Sequence, residues 1–191
     1  MHDRATAAQT EARERPLVVQ IALEVGLAAA FAAAPIVAAK VRLPLWFTPV
    51  PLTLQTLVVL LAGGFLGPRV GAVSQLGYLL MSLLGLPVLA LPSFIGPTGG
   101  YVIGFVFAAI IMGYCARRQA VGWLIGGAVA ASLTILACGS LWLSAYTGRD
   151  LRQAFLLGLA PFLAGDALKA ATAVMILRLS QRAFTGRAQI L

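Results

Sequence analysis

Three stretches of this 191-residue chain contain no Asp, Glu, Lys or Arg: residues 43–68, 70–116 and 119–148. Helices in an aqueous protein keep a charged or polar face, and runs of this length leave none. About 20 apolar residues in a helix cross the hydrocarbon core of a bilayer, so each run holds one or two crossings. The composition agrees: 60% of residues are hydrophobic, 10% are charged, and the mean hydropathy is +0.93. The chain reads as an all-α integral membrane protein with one helical domain. The strict alternation of a membrane β-barrel is missing.

The net charge of +8 does not indicate nucleic-acid binding. The basic residues flank the apolar runs rather than forming a patch, as the cytoplasmic bias of Lys and Arg produces. Cys115 lies at the end of a span and Cys138 inside one, where packing is the expected role and a disulfide is not. Residues 1–15 form a polar tail without the cleavage site of a secretory signal, so the first span is expected to be retained.

Proline, glycine and arginine divide the chain. Pro16 suits the first turn of a span over residues 17–39. The segment LPLWFTPVPLT carries Pro44, Pro49 and Pro51, which rules out a regular helix. An apolar irregular segment leaves backbone groups open, so it must fold onto protein or line a cavity. Residues 53–66 form a short second span, and Gly67-Pro68-Arg69 a turn. A third span covers 70–85, a fourth runs from PTGGY to Arg117-Arg118, and a fifth covers 121–143. Residues 151–158 read as a short interfacial helix, and Pro161 opens the last span, which ends at Arg182.

These are six transmembrane helices, so both termini lie on one side. That side carries Arg4, Arg13, Arg15, Arg69, Arg117, Arg118, Arg178, Arg182 and Arg187. The other holds Lys40, Arg42, Arg149 and Arg152. Nine against four places both termini in the cytoplasm. The domain boundaries are a tail over 1–15, a membrane domain over 16–182 and a cytoplasmic tail over 183–191.

The last span contains FLAGDALKA. Counting back from Arg182 puts Lys169 roughly 20 Å and Asp166 roughly 24 Å from the cytoplasmic end, in the outer half of the hydrocarbon core. The i, i+3 spacing puts both on one helix face. Charges at such depth usually face the interior and mark a ligand site; the alternatives are an ion pair tying helices together or a lysine that snorkels outward. Candidates to converge on them are Trp46 and Phe47 of the proline segment, Thr53 and Gln55 at the top of the second span, and Ser93, Thr98, Gly99, Gly100 and Tyr101 near the top of the fourth. Thr98 is placed to cap that helix, and the glycines would expose backbone N–H groups or serve close helix packing.

In their order and spacing, VPLTLQTLVVLLAGGFLGPRVGA, GLP, IGPTGGYVIGF and PFLAGDALKA resemble the BioY family, the substrate-binding membrane subunits (S components) of energy-coupling-factor biotin transporters. The resemblance covers residues 16–182. It implies six helices, a biotin site near the extracellular face, and no ATPase of the chain's own, with energy supplied by a partner membrane subunit and two ATP-binding-cassette subunits. It implies that Asp166 accepts from the ureido N–H groups of biotin. Lys169 then donates to the ureido carbonyl or offsets the nearby carboxylate. Gln55, Tyr78, Thr98 and Tyr101 would add polar contacts, and Trp46 and Phe47 would cover the rings. One departure is the loop VLALPSFI, shorter than is usual in the family and without Arg or Lys for the biotin carboxylate. In such S components a small-xxx-small surface of the first helix docks on the membrane partner; Ala28/Ala32, Ala29/Ala33 and Ala30/Ala34 have that spacing.

An enzyme is disfavoured, because the sole histidine is His2 and no Walker A motif occurs. A transporter driven by protons through Asp166, a solitary carrier made large enough by homo-oligomerisation, and an S component for another vitamin are the remaining alternatives. No cofactor or metal is expected.

Overall fold

The computed structural model describes residues 16–86, 96–118 and 120–190, with side chains to residue 183. The N-terminal tail, Ser93 and the VLALPSFI loop lie outside the described residues. The order is α1 (Leu17–Lys40), β1 (Arg42–Leu43), β2 (Leu52–Thr53), α2 (Gln55–Leu83), α3 (Gly99–Ala116), α4 (Val121–Thr147), α5 (Leu151–Gly158), a 3-10 turn (Ala160–Phe162) and α6 (Leu163–Ile190). Among the described residues, five helical stretches are long and apolar enough to cross a membrane.

One of these, α2, is not straight. Gly67 departs from helical geometry at φ 77°, ψ 178°, a region open to glycine at little cost, and Pro68 follows it with no N–H to continue the ladder. The two arms fold back on each other. A β-carbon on Gly71 would sit 3.1 Å from the Cα of Gly63, and Gln55 bonds Tyr78 23 positions away. A straight helix would hold that last pair about 34 Å apart. The expected turn at Gly67-Pro68-Arg69 is therefore the bend of a helical hairpin.

Small residues let the hairpin seat on α3. The bend lies against Gly113, where an added β-carbon would come within 2.7 Å of the Cα of Pro68. A β-carbon added to Gly104 would likewise come within 2.9 Å of the Cα of Ile135 on α4. Without a hydrophobic driving force between helices in lipid, such close backbone approach is what holds a membrane bundle together. The core runs through Val59, Leu60, Tyr78, Phe105, Met112, Leu124, Ile135 and Leu143.

The proline segment folds back onto protein. β1 and β2 pair antiparallel, Arg42 opposite Thr53 and Leu43 opposite Leu52, closing the loop 44–51. The buried Thr48 hydroxyl donates to the Leu157 carbonyl at 2.8 Å, pinning this loop to α5. Asp150 caps α5 by accepting from the Gln153 N–H at 2.8 Å. α6 starts after the Pro161 turn and continues past Arg182 to Ile190. Arg117 lies beside Gly67, and Gln181 donates to the Ala116 carbonyl. That end of the bundle thus gathers Arg69, Arg117, Arg118, Arg178 and Arg182, opposite the end where α2, α3 and α6 begin.

Candidate functional site

Three helices start at one place. α2 begins at Gln55, α3 at Gly99 and α6 at Leu163, and the side chains at these starts line a common pocket. Helix N-termini leave backbone N–H groups without partners and carry the positive end of the helix dipole. Asp166 falls in the first turn of α6, where that field favours a carboxylate.

Lys169 Nζ lies 2.6 Å from Asp166 Oδ1. Asp166 is 4% and Lys169 8% exposed, so this is an inward-facing pair and the lysine does not snorkel. Thr56 lines the same pocket as this pair. Thr53 and Gln55 form a second polar group: the Thr53 hydroxyl donates to Gln55 Oε1 at 3.1 Å, and Gln55 Nε2 donates to the Tyr78 hydroxyl at 2.7 Å. Tyr78 stacks on Phe105 with ring centroids 6.2 Å apart.

Tyr101 is fixed at both ends. Its hydroxyl donates to the Gly158 carbonyl at 2.6 Å, while its ring lies on α4 at Gly139, where a side chain would leave no room. Thr98 occupies the N-cap position of α3, yet its side chain makes no capping bond. Its hydroxyl is buried without a hydrogen-bond partner among the described residues and lines the pocket. A buried hydroxyl left unbonded is costly, and here it is available to a ligand.

The apolar walls are Val50, Leu52, Val102, Phe105, Ile135, Leu136 and Phe162. The cavity is narrow, ≈ 40 Å³, which is room for about three waters. Apolar walls with a few aimed polar groups suit a small molecule. Among the described residues, no three His, Cys, Asp or Glu side chains come together as metal ligands would.

The structure thus brings Asp166, Lys169, Thr53, Gln55, Thr98 and Tyr101 to one pocket. Other expected members stand elsewhere. Trp46 is 96% exposed and meets Phe47 edge-on at 5.3 Å. Neither lines the pocket, because the anchored proline loop turns its aromatic tip away. Tyr78 stands behind Gln55 and orients it. Gly99 and Gly100 are buried in helix packing, Gly100 against Trp142 of α4. Thr56, Phe105 and Phe162 are pocket residues that the sequence reading did not single out; for Thr56 the signal was its place beside Gln55 in the first turn of α2.

The alanines of α1 divide by face. Ala32 is buried and packs on Gly77, and Ala28 is half-buried, whereas Ala29 and Ala33 are exposed.

The sequence model of the BioY family matches residues 8–186. A "Probable biotin transporter BioY" of Pyrococcus horikoshii is 41% identical over 81% of this chain and 94% of its own length. A "Biotin transporter BioY" of Thermotoga maritima is 35% identical over 76% and 88%. Among solved structures, the S-component for biotin from an ECF-type ABC transporter superposes with a TM-score of 0.78 at 29% identity, covering 88% of this chain and 95% of that one.

Proposed function

We propose, since this chain belongs to the BioY family, that it is the biotin-binding subunit of an ECF-type vitamin transporter, a multi-pass protein of the bacterial plasma membrane. The observation that carries this reading is the buried Asp166–Lys169 pair in a pocket with apolar walls and a few neutral polar groups. The ureido ring of biotin has two N–H donors and one carbonyl. Asp166 accepts from the donors and Lys169 donates to the carbonyl, so the ligand exchanges one charge-assisted contact for several. Thr98 and Gln55 supply neutral contacts, and Phe105 and Phe162 flank the rings.

The chain crosses the membrane six times, each arm of α2 counting once, with both termini in the cytoplasm. The arginine-rich end opposite the pocket supports this orientation, which leaves the pocket near the extracellular face. ATP hydrolysis belongs to two ATP-binding-cassette subunits joined through a membrane coupling subunit. The exposed small residues Ala29 and Ala33 of α1 provide the docking surface for that coupling subunit.

Calorimetry on the purified protein with biotin, desthiobiotin and thiamine tests the assignment. Biotin and desthiobiotin, which share the ureido ring, should bind, and thiamine should not. Preference for thiamine, or no binding of biotin, would overturn it.

A further inference from the structure

The pocket does not end at the ion pair. A groove of ≈ 200 Å³ runs along the proline loop, lined by Arg42, Pro44, Leu45, Thr48, Pro49 and Pro51. Pro51 is also a wall of the Asp166–Lys169 pocket, so the two spaces adjoin. The hairpin register fixes where the cation stands. Arg42 is directly opposite Thr53 in the β1–β2 ladder, and residues opposed in this way project from the same face with β-carbons about 5 Å apart. Thr53 lines the pocket; Arg42 therefore projects beside its mouth.

We infer that this groove is the subsite for the carboxylate tail of the ligand, with its alkyl chain along Pro51 and Leu45 and its carboxylate on the Arg42 guanidinium. The inference rests on the biotin reading above and deepens it. Lys169 is held by Asp166 at the inner end of the pocket and serves the ring, so the two ends of the ligand meet different cations. Arg42 is exposed; the contact is accordingly of the modest, salt-sensitive kind, and it guides an anion toward the mouth as well as holding it there.

The test measures biotin and biotinamide, whose tail is uncharged, on the purified wild-type protein, Arg42→Gln and Arg42→Lys, at low and high salt. Arg42→Gln should weaken biotin about fivefold at low salt, leave biotinamide unchanged, and lose most of its effect at high salt. Arg42→Lys should keep the preference for the charged tail. Equal losses for both ligands would show that Arg42 only supports the hairpin and would overturn the subsite. Unchanged biotin affinity in Arg42→Gln would overturn it too. Failure of the wild-type protein to bind either ligand would instead strike the biotin reading itself.

Discussion

Asp166 and Lys169 stand one helical turn apart with their charged atoms 2.6 Å from each other, both buried at the start of α6. A buried pair of this kind is weak support for stability, since removing two charges from water offsets much of their attraction. Breaking it from one side is a different matter, because the remaining charge is stranded. Lys169→Met should therefore cost about 3 kcal/mol of stability. The double variant Asp166→Asn/Lys169→Met should recover most of the loss while still failing to bind biotin. Thermal unfolding in detergent, read beside calorimetry, separates the two effects. Recovery of binding in the double variant would mean that the pair is structural only.

Tyr78 does not line the pocket itself but holds the pocket residue Gln55 at 2.7 Å. Tyr78→Phe removes that acceptor and frees the Gln55 amide to turn. Biotin affinity should fall about fivefold, corresponding to about 1 kcal/mol for one hydrogen bond. Adding Gln55→Leu to Tyr78→Phe should then cost less than the two single losses summed, the signature of one coupled unit. Additive losses would show that the two act separately.

The hairpin of α2 depends on close backbone contact. A side chain at Gly113 would meet the backbone of Gly67 and Pro68, which cannot give way as a side-chain tip can. Gly113→Val should lower stability by about 3 kcal/mol or more. Gly26 in α1 has nothing within 4 Å of an added β-carbon, so Gly26→Ala should be neutral or slightly stabilising. Comparing their melting temperatures checks the packing; equal behaviour would contradict it.

The two faces of α1 should respond differently to bulk. Ala29→Trp and Ala33→Trp should leave melting and biotin binding intact but abolish co-purification with the membrane coupling subunit. Ala32→Trp should lower the melting temperature, because Ala32 packs on Gly77. Retained assembly in the Ala29 and Ala33 variants would move the docking surface elsewhere.

The boundaries of the helices were legible because charge and proline are scarce here and each occurrence has a positional meaning. Arg117-Arg118 and Pro161 mark ends, and residues 151–158 read as a separate short helix that the structure places at Leu151–Gly158. The ion pair was legible for the same reason: two charges among apolar neighbours have few places to go. Faces were harder to read. Lipid and protein interior are both apolar, so nothing in the alanine run tells that Ala32 turns inward while Ala33 turns out. The same holds for aromatic residues. Trp46 and Phe162 look equally suited to cover a ring, and only the loop anchored through Thr48 and the turn at Pro161 aim one outward and the other into the pocket. Tyr78 was recognisable as a polar partner, but its backing role depends on a contact 23 positions away.

The most direct test of the account is the biotin affinity of Asp166→Asn, which keeps the shape of the side chain and removes its charge. Calorimetry on this variant and on the wild-type protein, both confirmed folded by their melting curves, should show strong binding by the wild type. The variant should lose about 100-fold or more, as expected when a charged partner of a buried ligand is removed. Equal affinity in the two proteins would contradict the claim that biotin is held by the Asp166–Lys169 pair.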